Sequence, residues 1–109
     1  MEPFPLRTPE ELQHTYDQRV NKWRPEFRAN LGKDIEDVLK EYVSGQRTAT
    51  RWSLVVSCPP EFEKVLKTTE VRDLNEQLKL HGWVVYNIDR HVDLQDPDST
   101  YYDIFFKQM

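Results

Sequence analysis

A chain of 109 residues with 38% hydrophobic and 31% charged side chains has the size and composition of one folded domain, with no length for two independent cores. Its net charge of −4 is unevenly placed, since residues 1–55 carry 9 basic and 9 acidic side chains while residues 56–109 carry 6 and 10. An acidic balance disfavours a non-specific binder of the phosphate backbone, and the lack of any run near the roughly 18 apolar residues of a membrane span disfavours a membrane protein. The opening Met1-Glu2-Pro3-Phe4-Pro5 lacks the basic-then-apolar layout of a signal peptide. The single cysteine, Cys58, permits no internal disulfide, and there is no Asn-x-Ser/Thr sequon. The expected setting is therefore intracellular, in cytoplasm or nucleus.

Thr8-Pro9-Glu10-Glu11 predicts a helix start: Thr8 caps the free N–H groups, Pro9 suits the first helical position and Glu11 completes a capping box. Leu12, Tyr16, Val20 and Trp23 then share one helical face, and Pro25 is expected to end or kink the helix near Arg24. A second helix is expected through Asp34 to Tyr42, with Ile35, Val38, Leu39, Tyr42 and Val43 as its apolar stripe and Gly45 as its terminator.

After the polar connector 44–50, Trp52 to Cys58 alternates as a strand, with Trp52, Leu54, Val56 and Cys58 on one face. Pro59-Pro60 closes it and opens a helical stretch carrying Phe62, Val65 and Leu66. The helical phase slips at Thr68-Thr69 before Val71, Leu74 and Leu78, predicting two pieces or a kink, with Gly82 just past the end. Trp83 to Arg90 reads as a second strand with Val84, Tyr86 and Ile88 inward. A turn at Asp96-Pro97-Asp98-Ser99 leads to a third strand with Tyr102, Ile104 and Phe106 inward.

The fold class that follows is α+β: N-terminal helices (1–45), then a β-α-β-β unit (51–109) with a small three-stranded mixed sheet, together one domain. The last strand is expected in the middle, parallel crossover strands flanking it.

Four features bear on chemistry. Cys58 ahead of a helix invites a nucleophile reading, but no histidine stands in a motif with it and its inward parity favours a core thiol. Asp93, Asp96 and Asp98 offer oxygen ligands for a hard cation, yet their spacing does not match a calcium loop and turn chemistry accounts for the last two. Arg19, Lys22, Arg24 and Arg28, interleaved with Trp23 and Phe27, are the one stretch suited to gripping nucleic acid. Trp83, Tyr101 and Phe105 have parity opposite to the expected core set; either the N-terminal helices cover them, which is the favoured expectation, or they form an apolar contact surface.

With 3 glycines there is no phosphate-binding loop, and no catalytic triad or paired-ligand zinc motif occurs, so no cofactor and no enzyme activity are expected. From Tyr42 onward, the helix closing at Gly45, the Trp52–Cys58 strand, the helix ending Leu80-His81-Gly82-Trp83-Val84-Val85 and the final Tyr101-Tyr102-Asp103-Ile104-Phe105-Phe106 resemble small α/β proteins encoded by large DNA viruses and tailed phages. That resemblance implies no catalytic residues, and a setting in the host cell or virion. The functional expectation is a non-enzymatic interaction or structural protein that self-associates or docks a protein partner through Trp83, Tyr101 and Phe105. A nucleic-acid accessory protein using residues 19–28 and a metal-dependent enzyme at the aspartate hairpin are the alternatives.

Overall fold

The computed structural model describes residues 4–96 and 100–109. Its elements run α1 (Pro9–Val43), β1 (Arg51–Ser57), α2 (Glu63–Val65), α3 (Val71–Leu78), β2 (Trp83–Val92) and β3 (Thr100–Gln108), an α+β chain. Two compact units divide it, one running to Glu36 and the other Asp37–Met109, so the boundary falls inside α1.

The start of α1 follows its local chemistry. The Glu11 amide donates to Thr8 Oγ1 at 3.2 Å, with Pro9 at the first helical position. Pro25 neither ends the helix nor divides it in two: α1 is continuous over 35 residues. Pro25 is exposed, so the Asn21 carbonyl deprived of a donor lies beside an accessible proline rather than within a dry core. Val20, Phe27, Leu31 and Ile35, on both sides of the proline, are buried. Their burial is worth together roughly 6–12 kcal/mol against about 4 kcal/mol for an interior proline plus the interior Gly32, so the stripe outweighs the break. Leu12 and Val43, each expected on an apolar stripe, are exposed.

The helix closes as Gly45 predicts. Gly45 takes φ +78°, its amide donates to Tyr42 O at 3.1 Å, and the Gln46 amide reaches back to Glu41 O at 2.9 Å. This pair of bonds is a Schellman cap, which requires the left-handed residue a glycine supplies. The Tyr42 hydroxyl donates to Ala49 O and ties down the connector to β1.

Between β1 and β2 the chain makes one helical passage, from a 3-10 turn at Pro60–Phe62 through α2 and α3 to a 3-10 turn at Lys79–His81. The phase slip at Thr68-Thr69 is a π-helical turn, Leu66–Glu70, which inserts residues without breaking the helix. Thr68 does not cap a new segment; its hydroxyl donates back to Lys64 O at 2.7 Å. Gly82, at φ +82°, ends the passage.

The strands form one sheet in the order β1-β3-β2. Every ladder is antiparallel, so the expectation of a mixed sheet is corrected: β1 and β2 run the same way but never pair, because β3 lies between them. The inner face carries Trp52, Val56, Tyr102, Ile104 and Phe106, all buried, and the Trp52 and Phe106 rings stack at 4.0 Å.

β2 departs from simple alternation. Val85 pairs with Phe106 and Asn87 with Phe105, which leaves Tyr86 as the extra residue of a β-bulge. Below the bulge Ile88 keeps its expected inward place opposite Ile104. Above it the parity reverses: Trp83 turns inward opposite Gln108, Val84 turns outward opposite Lys107, and Tyr86 is 42% exposed. The Val85 amide at the bulge is satisfied by Asn75 Oδ1 from α3 at 2.8 Å, which also occupies part of the β2 edge.

Candidate interaction surface

Strand pairing orders the outer face of the sheet into rows. Arg51, Lys107 and Val84 lie across from one another in the first row, and Ser53, Phe105 and Asn87 in the second, with Tyr86 beside them. Val55, Asp103 and Asp89 form the third row, and Ser57, Tyr101 and His91 the fourth. An antiparallel sheet tolerates one wet face, and here Val55 is 66% and Tyr101 39% exposed.

Its aromatic part is assembled from two strands. Tyr86 and Phe105 have ring centroids 6.0 Å apart. The Arg51 guanidinium lies 5.5 Å and the Lys107 ammonium 5.6 Å from the Tyr86 ring centre, within cation–π range. One row pair further along, His91 Nε2 donates to Asp103 Oδ2 at 2.7 Å, while Asp89 faces Asp103 directly across the ladder. The face is thus cationic towards one end and anionic beyond its aromatic centre.

The residues singled out from the sequence separate accordingly. Tyr101 and Phe105 lie on this outer face, Phe105 half-buried. Trp83 does not join them: it is 4% exposed, its ring against Tyr42 at 4.7 Å and Trp52 at 5.9 Å. The bulge at Tyr86 reverses its parity, so it is a core residue, and Tyr86 takes the surface position instead. Sequence alternation placed Tyr86 inward because a bulge leaves no mark in residue type.

The basic stretch does not make one patch. At about 100° per residue, Arg19 and Lys22 fall on one flank of continuous α1 and Arg24 and Arg28 on the other, the stripe carrying Val20 and Phe27 between them. Trp23 stacks on Phe27 at 4.5 Å.

At the hairpin, Asp93 Oδ1 accepts the Gln95 amide at 2.9 Å and its carbonyl accepts the Asp96 amide at 3.2 Å, a side-chain-closed turn. Asp98 lies outside the described residues, and among the described residues no group of three or more His, Cys, Asp or Glu is arranged to hold a metal ion.

A second polar group lies inside the sheet's other face. Cys58 is 1% exposed, and burial first, then the negative charges of Glu63 and Glu70, push its thiol up to about 12. Tyr102, opposite Val56 and Arg90 in the ladders, is raised as well, chiefly by burial, and its hydroxyl is buried without a hydrogen-bond partner. A thiol held in this way is a poor nucleophile at neutral pH.

The thiol also makes a pH prediction. The unfolded chain releases the cysteine proton near pH 9 while the folded chain holds it to about 12, so the unfolded state binds fewer protons between those values. Stability is therefore expected to fall as pH rises through that window. Thermal melts of the wild type and Cys58→Ala from pH 8 to 11 should show the steeper decline in the wild type; parallel curves would refute the assignment.

No protein-family model, curated protein or solved structure matches this chain. Among the described residues no helix is long and apolar enough to cross a membrane.

Proposed function

We propose that this chain is a non-enzymatic interaction protein whose working surface is the outer face of the sheet, centred on Phe105, Tyr86 and Tyr101. The observation that carries the reading is the grouping of exposed Val55, Tyr86 and Tyr101 around half-buried Phe105 on the outward side of the sheet, with Arg51 and Lys107 over the Tyr86 ring. An aromatic cluster with an arginine beside it, set within a polar and charged rim, is the composition of a protein contact, and desolvating the aromatics on docking favours association. A viral or phage setting for that role rests on the element pattern alone.

The test is Phe105→Glu, which places a charge on the outer face without entering the core behind it. Tagged wild type and variant are compared for what co-purifies, including further copies of the chain, with circular dichroism confirming the fold. The expected result is loss of the bound species with melting behaviour retained. If both retain the same bound species, or neither binds anything, the outer face is not a docking surface.

A further inference from the structure

Resting on the proposal that the outer face docks a protein, we infer that its occupant is a second copy of this chain, packed face to face about a two-fold axis running across the strands at Phe105. Charge complementarity selects this occupant. Along β3 the outward residues are Tyr101, Asp103, Phe105 and Lys107, so a cation and an anion stand one row either side of a phenylalanine. A two-fold axis across the strands reverses the row order of the partner sheet while keeping each strand over its own copy. Phe105 then meets the partner copy's same phenylalanine, and Lys107 lies over the partner copy's Asp103 twice by symmetry.

Arg51, in the Lys107 row, extends the cationic end, and Asp89, directly opposite Asp103, extends the anionic one. Asp89 and Asp103 are like charges directly opposite each other, and Asp103 Oδ2 already accepts from His91 Nε2 at 2.7 Å within the chain; the partner copy's lysine brings a cation to that pair. A uniformly charged polymer such as a nucleic acid would meet attraction at one end of this face and repulsion at the other; the reversed copy meets attraction at both.

The size of the surface sets the strength. Rows about 6.8 Å apart along strands about 4.8 Å apart give the three facing rows, across three strands, a footprint of roughly 300 Å² per copy. That falls below the roughly 1,200–2,000 Å² total of stable interfaces, so the pairing is reversible and dependent on concentration and salt. Facing sheets about 10 Å apart leave lysine and aspartate within reach of each other.

The experiment is sedimentation equilibrium across a micromolar-to-millimolar series at low salt, using the wild type, Lys107→Asp, Asp103→Lys and an equimolar mixture of the two variants. Each variant alone opposes like charges and is expected to dimerise at least tenfold more weakly than the wild type. The mixture restores both cross-pairs and is expected to associate as heterodimers with near wild-type strength. A folding defect cannot be rescued by mixing, so the rescue is specific to the contact. A monomeric wild type throughout, or variants that self-associate as the wild type does, would overturn the inference. If the wild type stays monomeric while Phe105→Glu still loses a co-purifying protein, the self-pairing fails and the docking surface stands.

Discussion

Phe106→Ala is expected to cost the fold about 3–5 kcal/mol, enough to leave much of the protein unfolded under ordinary conditions. Phe106 is fully buried on β3, the middle strand of the sheet, and its ring stacks on Trp52 at 4.0 Å with the planes 12° apart. Trp52 in turn meets Trp83 edge-on at 5.9 Å, and Trp83 meets Tyr42 at 4.7 Å. Truncating Phe106 therefore opens a cavity at one end of a row of four aromatics drawn from β3, β1, β2 and the end of α1. The transfer and cavity costs act together, because the other three rings are held from three separate elements and collapse only partly into the space. Urea unfolding should show the midpoint displaced with the slope unchanged. Phe106→Leu, which keeps most of the volume, should lose much less. A loss under about 1 kcal/mol for the alanine variant would mean that this row is not the core.

Pro25→Ala is expected to act in the opposite direction, stabilising α1 by up to about 3 kcal/mol. The alanine restores a donor to the Asn21 carbonyl and removes the ring from the preceding turn, and Pro25 is exposed, so no packing is lost. Thermal unfolding followed at 222 nm reads the gain, and an unchanged or lowered midpoint would show that the proline is accommodated by a backbone adjustment the alanine does not recover. The two substitutions test separate parts of the chain, the helix to Glu36 and the sheet with its crossover.

Much of the outline was legible in residue type. Thr8 and Pro9 mark the start of α1, Gly45 and Gly82 mark the ends of two helical passages, and the phase slip at Thr68-Thr69 marks the π-helical turn. The three strands follow from alternation, and the central place of the last from a crossover followed by a hairpin return. The turn expected at Asp96-Pro97-Asp98-Ser99 lies mostly outside the described residues. For the candidate surface, Tyr101 and Phe105 were legible because β3 alternates without interruption from Thr100 to Gln108. Trp83 and Tyr86 were not, since their parity depends on where β2 meets β3.

What the sequence determined by itself is whatever a residue settles with its near neighbours: caps, left-handed glycines, strand content and the inward set of β3. The tertiary structure decided the rest. It carried α1 through Pro25, because burial of Val20, Phe27, Leu31 and Ile35 outweighs a local propensity that taken alone breaks the helix. It also exchanged Trp83 for Tyr86 on the outer face, because a single bulge reverses every side chain on one side of it and the register that fixes a bulge belongs to two strands at once.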